Sequence, residues 1–312
     1  MPTTMCDLAK TLPLLIGRLL DREAKLKRGR FREETMTDIF TGALAAFAGP
    51  ELVIQYPIEA VTGGDFDLRF WHIATGRELQ LRIQAKRLSA AFNSKKAVNI
   101  AHRSYHELLH KPPRSAKFQF ETLVDAPPPW VPLYMFYNHQ SAADDPYFAG
   151  VGPTVSGVNL AFAADAVKEL KLKLNAAKAK PKSVKHHKRL SHLREHLFGL
   201  EAILCPGGDW EGAGVPPPDV VSASLRERWA ARGEGTARPK DEDIILRIPS
   251  EPLEMLPDGR FGRRIPDGPP HKSGPDGGTP GSHLHLWPNR RRSHAYHHRR
   301  VRKMVALISG RV

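Results

Sequence analysis

The chain is expected to fold as an α/β domain, with a mixed central sheet flanked by helices. Three observations in the first 140 residues lead there. A helical apolar stripe precedes three short extended segments joined by tight turns. A further helical segment then leads into a continuous apolar stretch, Val131 to Tyr137. A pattern that changes period from about 3.6 to 2 and back marks helix, sheet and helix in one layered unit.

Residues 7 to 48 read as two helices, broken near the basic stretch Lys25 to Arg32. The first holds an apolar run, Leu12 to Ile16. Asp7 and Lys10 precede that run, Arg18, Asp21 and Arg22 follow it, and no small-residue cleavage site appears, so it is an amphipathic helix rather than a targeting segment. In the second helix Met36, Phe40, Ala43, Leu44 and Phe47 form one stripe, stopped by Gly49 and Pro50. Leu52 to Tyr56, Asp65 to Trp71 and Glu78 to Lys86 are strand candidates. Turns at Thr62 to Gly64 and Ala74 to Gly76 make them an antiparallel meander.

A polar helical stretch is expected from Ser89 through Leu109, then a loop at Pro112 and Pro113 and a helix over Lys117 to Val124. Val131 to Tyr137 is short and apolar, a buried strand reached by a helical crossover. Gly157 to Ala163 adds an edge strand and Ala164 to Leu174 a helix. Lys168 to Arg194 is dense in lysine, with a break at Pro181, and reads equally as a solvated face or a binding surface. Beyond Pro257, Gly, Pro, Arg and His dominate. The domain therefore spans about 1 to 250, with a core near 30 to 140, and residues 257 to 312 form a basic tail expected to be poorly ordered.

Lys and Arg number 47 against 33 Asp and Glu, a formal charge of +14. Such an excess points to a polyanionic partner. No long basic amphipathic helix with a bulky apolar face is evident, so nucleic acid leads over an anionic membrane. No stretch approaches the roughly 20 apolar residues of a membrane span. The two cysteines, Cys6 and Cys205, are far apart and lack metal-ligand spacing. They suggest neither a disulfide framework nor a zinc ribbon, and a reducing cytoplasm is the expected setting. A homo-oligomer is left open.

The informative window is Gly63 to Lys86. Strand alternation puts Asp65, Asp67, Arg69 and Trp71 on one face and Phe66, Leu68 and Phe70 on the other. In the next strand Gln80, Arg82, Gln84 and Lys86 share a face opposite Leu79, Leu81, Ile83 and Ala85. Two paired strands can thus set a carboxylate, an amide oxygen and an ammonium around one point. Mg²⁺ takes hard oxygen ligands and keeps several waters, so these groups together with phosphate oxygens would suffice to hold it.

These residues resemble the PD-(D/E)xK nuclease superfamily, in the variant with Gln at the acidic position of the third motif, as in Mrr-type restriction enzymes. The matching residues are Gly64-Asp65-Phe66 and Gln84-Ala85-Lys86, and the likeness covers roughly residues 30 to 140. The family's Pro before the Asp is replaced by Gly64. The resemblance implies a restriction-endonuclease-like core and a metal-dependent nuclease acting on DNA, with RNA not set aside and a role in restriction or phage defence. It implies Mg²⁺, with Mn²⁺ as an alternative, held by Asp65 and Gln84, while Lys86 serves the attacking water. The family also places a Glu on the helix before the meander. Glu33 lies within the stripe of Met36, Phe40 and Phe47, so it is preferred to Glu34. Asp67 is either a further ligand or a partner of Arg69 or Arg82. Arg82, Arg87, Lys95 and Lys96 are the candidate nucleic-acid contacts. The alternative is a catalytically inactive nucleic-acid-binding protein on the same fold.

Other patterns carry less. His192-Leu193-Arg194-Glu195-His196 matches the zinc-binding pattern HxxEH, but no clear third ligand follows it. His102, His106 and His110 recur at spacing four, as on one helix face, where backbone contact or exposure is expected rather than metal.

Overall fold

The computed structural model describes residues 4–23, 26, 31–90, 92–93, 96–112, 116–179, 188–207, 210, 214–231, 254–255 and 261–262. All fall within Met1–Arg264; the unit Ile265–Val312, most of the expected tail, lies outside the described residues.

Helical spacing of apolar residues generates α1 (Met5–Arg22), which buries Met5, Leu8, Leu12, Ile16 and Leu20. The Thr4 hydroxyl caps it, accepting from the Asp7 N–H at 3.0 Å. In α2 (Glu33–Ala45) the predicted stripe is the buried one: Met36, Phe40 and Leu44 turn inward. The meander follows as β1 (Leu52–Gln55), a single turn α3 (Glu59–Thr62), β2 (Phe66–His72) and β3 (Arg77–Arg87). A two-stranded ribbon of β4 (Phe92–Asn93) and β5 (Lys96–Ala97) leads toward α4 (Gln119–Val124), the crossover to β6 (Trp130–Tyr137). Then come α5 (Gln140–Ala143), β7 (Val158–Phe162), α6 (Ala163–Ala179), α7 (Leu190–Leu193), β8 (Phe198–Gly199), α8 (Glu201–Leu204) and α9 (Pro218–Ala230). A small hairpin pairs β9 (Glu254–Met255) with β10 (Phe261–Gly262).

The main sheet has six strands in the order β1-β2-β3-β6-β7-β8. Only β3 and β6 run parallel; the other neighbours are antiparallel. Helix, meander, crossover and parallel strand therefore occur in the expected order, on an α/β sheet flanked by helices. Alternation sorts the side chains into two cores. Phe66, Leu68, Phe70, Leu81, Ile83, Ala85, Leu133 and Met135 pack with residues of α1, α2, α8 and α9. Tyr134, Phe136 and Ala161 point to the opposite face and join Leu123, Ala166, Leu170, Leu190 and Leu193. Each fully buried large apolar side chain contributes about 1.5–3 kcal/mol by leaving water, which makes both layers structural necessities. No helix among the described residues is long and apolar enough to cross a membrane.

Three expectations are corrected. The region 89–109 is not a helix: it holds the β4–β5 ribbon and two 3₁₀ turns, Ile100–His102 and His106–Leu109. Its buried residues, Arg103, Tyr105 and Leu108, lack helical spacing, and Leu88 and Arg189 bridge to Tyr105 and Ser104 instead. The segment 158–162 is not the sheet edge, since the two-residue β8 pairs beyond it. Cys6 and Cys205 are joined as a disulfide, tying the start of α1 to the residue that ends α8. Their separation of 199 residues hid a proximity that only the packing of α1 against α8 creates. The cysteine count therefore no longer argues for a reducing compartment.

Candidate active site

The register of the meander decides which polar groups meet. Asp67 lies opposite Arg82 and Phe66 opposite Ile83, which carries Asp65, just ahead of β2, to the last third of β3. The Asp65 N–H donates to the Ile83 carbonyl at 2.8 Å, and its Oδ2 accepts from the Ala85 N–H at 2.6 Å. The two preceding glycines permit this path. Gly63 ends α3 at φ 73°, a left-handed conformation, with α4 backbone so close that an added Cβ would lie 2.6 Å from the Leu123 nitrogen. At Gly64 a Cβ would lie 2.7 Å from Arg82 Cγ. Any side chain at position 64 would therefore have to displace Arg82.

Glu33, the first residue of α2, reaches the end of β3 and accepts twice. Lys86 Nζ donates to Oε1 at 2.8 Å and the Arg87 N–H to Oε2 at 2.9 Å. Burial raises the Glu33 pKa above the usual carboxylate range against the pull of Lys86. Burial likewise pushes Asp65 up to about 7; the charges of Glu33 and Glu59 add to the rise, and Lys86 opposes it. For Lys86, burial favours the neutral amine, but attraction to Glu33 and Asp65 outweighs it and the pKa is raised. Lys86 is therefore held as an ammonium. Beside it Gln84 is 1% exposed, and neither amide atom has a hydrogen-bond partner among the described residues. Of the predicted residues, Glu33, Asp65 and Lys86 thus come together, and Gln84 shares a strand face with Lys86 two residues away.

Asp65 and Glu33 line an open cleft of about 430 Å³, with Glu34, Asp38, Glu59, Glu107, His110 and Gln119 among its other walls. Gln84 and Lys86 are buried and do not line it. Six carboxylates against one histidine make the cleft strongly negative. Like charges at a few ångströms repel by several kcal/mol at protein-like dielectric, so a phosphate approaches only if a cation offsets them. Hard oxygen donors with raised pKa values, next to an unpartnered buried amide, are a donor set that fits Mg²⁺ or Mn²⁺.

Several sequence expectations fall away. Arg82 holds Asp67 in a two-pronged ion pair, 3.0 and 2.9 Å, and lies over the Trp130 ring at 4.1 Å. Asp67 is thereby committed to Arg82 rather than to a metal, and Arg82, 7% exposed, is no nucleic-acid contact. Arg87 is likewise bound to Glu23 at 2.5 Å. Glu34 is exposed on the cleft wall, one step off the buried stripe, and makes no contact with Lys86 comparable to that of Glu33. Lys95 and the side chain of Lys96 lie outside the described residues.

The HxxEH pattern does not form one helical face: α7 ends at Leu193 and Arg194–His196 is a 3₁₀ turn. Glu195 and His196 instead approach Glu169, with ligand atoms within 4.8 Å of one another, but Glu169 is paired with Lys173 at 3.2 Å and Glu195 is largely exposed. Likewise His102, His106 and His110 sit on two separate turns and the residue after them. Sequence alone missed Asp38, one turn beyond Glu34 on α2, and it missed Glu59 and Glu107 because only the tertiary fold brings α3 and the 106–109 turn to the first half of α2.

Fold and site together define an α/β protein with a mixed sheet and an acidic cleft, where Asp65 and Glu33 line the cleft and Lys86 and the Gln84 amide are buried behind them. The chain belongs to a family of unknown function, DUF6615, whose model matches residues 5–310. No curated protein sequence matches it.

Proposed function

We propose that the protein is a metal-dependent nuclease that hydrolyses phosphodiester bonds of DNA. The observation that carries this reading is the convergence of Glu33 and Asp65 on Lys86 beside the unpartnered Gln84 amide. Glu33, Asp65 and Gln84 would hold Mg²⁺, which when bound acidifies water and offsets charge at the scissile phosphate.

The chain's own residues do the rest. Asp65 is steadied by the Ala85 N–H and Glu33 by the Arg87 N–H, so both carboxylates are oriented before any ligand arrives. In the metal-free protein Glu33 and Asp65 hold Lys86 as an ammonium, poised to act as a donor. Its N–H groups would orient the attacking hydroxide, whose proton has passed to solvent, and stabilise charge as that oxygen bonds to phosphorus and the ester oxygen departs. The acidity of the cleft argues against the alternative of a catalytically silent binder, since among the described residues no basic side chain except His110 lines the space. A cytoplasmic site of action, in restriction or phage defence, belongs to this proposal.

Plasmid DNA incubated with the purified protein and Mg²⁺ should be nicked or linearised, and Lys86→Ala should abolish this. A gel shift that is independent of divalent metal, with no cleavage, would instead support the binding protein.

A further inference from the structure

Two polar side chains at the site are left without partners by everything above. The Gln84 amide is 1% exposed, and among the described residues nothing bonds either of its ends. Tyr134 is fully buried, and its hydroxyl is in the same position. The two are register partners across the parallel pair β3 and β6, and directly opposed residues on neighbouring strands project to the same face. The Tyr134 ring is held from turning away. It stacks on Phe136 with centroids 5.5 Å apart and planes at 21°, and Phe136 packs on Tyr105 at 4.6 Å. Adjacent orphans are uncommon because each carries a desolvation cost, and a buried spot with several polar neighbours is where an ordered water resides.

Glutamine has an ambiguity that a carboxylate lacks. Its oxygen and nitrogen are almost equal in size, and hydrogen bonds alone decide which end faces where. A cation is bound by the oxygen and repelled by the amide hydrogens. We infer that Tyr134 is the positioning residue that resolves this ambiguity. Through one buried water it engages the Gln84 nitrogen, so that the oxygen is the end offered to the cation. In that chain Gln84 Nε2–H donates to the water, and the water donates to the Tyr134 hydroxyl oxygen. The inference rests on the cation site proposed above and adds to it a residue that touches no ligand.

The test is a cycle of four full-length proteins: wild type, Tyr134→Phe, Gln84→Glu and the double variant. Mn²⁺ binding is read from the electron paramagnetic resonance signal of the free ion. Loss of an outer partner of this kind weakens metal affinity about 10–100-fold, and that is the effect expected for Tyr134→Phe alone. On the Gln84→Glu background, where either end is an oxygen, the same change should alter affinity by less than about twofold. Equal losses on both backgrounds would show a structural role and overturn the inference, as would full affinity in Tyr134→Phe. Absence of Mn²⁺ binding by wild type would overturn the cation site itself, and the inference with it. Melting curves without metal establish that each variant folds, and Tyr134→Leu replaces Tyr134→Phe in the cycle should the latter unfold.

Discussion

Replacing Asp65 with asparagine should make the metal-free protein more stable, not less. The carboxyl ionises ordinarily at 3.8 but holds its proton to about 7 in the folded chain, chiefly because of burial. Below pH 4 both states carry the proton and there is no penalty. As pH rises the unfolded chain ionises first, so the folded state loses ground until about pH 7, beyond which the penalty is complete. At about 1.4 kcal/mol per pH unit this sets an upper bound of roughly 4 kcal/mol, which access of water from the cleft reduces. Asparagine removes the ionisation and still accepts from the Ala85 N–H, although a neutral acceptor forfeits about 1 kcal/mol.

A net gain of about 1–3 kcal/mol remains at pH 8, which is a rise of several degrees in melting temperature for a domain of this size. At pH 5 most of the gain should vanish. Millimolar Mg²⁺ should stabilise wild type and leave Asp65→Asn unmoved, since a ligand at 100 times its Kd contributes about 2.7 kcal/mol. The assay is thermal unfolding at both pH values, with chelator and with Mg²⁺. An asparagine variant destabilised equally at pH 5 and pH 8 would refute the reasoning, because Asp65 would then be an ordinary structural acceptor.

Other perturbations separate site from scaffold. Lys86→Met keeps the aliphatic stem but strands Glu33; it should abolish DNA cleavage and cost about 3–5 kcal/mol in urea unfolding, as loss of one member of a buried ion pair does. Arg82→Ala should cost a similar amount by leaving buried Asp67 alone, while nucleic-acid affinity in a filter-binding assay stays unchanged. Reduction of Cys6–Cys205 should lower the melting temperature, with up to about 5 kcal/mol at stake for a loop closed across 199 residues; an unchanged melting curve would mean the thiols are not joined in solution.

The sheet and its core were legible because period-2 alternation over Phe66 to Phe70 and Leu79 to Ala85 leaves few alternatives once one face must be buried. Glu33 was legible for the same reason, as an acid on an otherwise apolar helical face. What could not be read depended on distant neighbours. Asp67 had two possible arginine partners and a possible cation, and only the register across β2 and β3 chose Arg82. Residues 89–109 carried polar helix formers, but the Ser89 N–H donates to the Ser104 carbonyl and the Tyr105 N–H to the Lys188 carbonyl, long-range backbone bonds that replace those of a helix. Tyr134 looked like one more aromatic in an apolar strand; that its hydroxyl shares a face with Gln84 follows from the parallel pairing with β3, which no local pattern announces.

The decisive measurement is anomalous diffraction from crystals grown with Mn²⁺. A single ion bonded to the side-chain oxygens of Asp65, Glu33 and Gln84 at about 2.1 Å, the spacing of a small hard cation, is the predicted result. An ion seated instead at Glu169, Glu195 and His196, or no ion in the acidic cleft at saturating Mn²⁺, would contradict it.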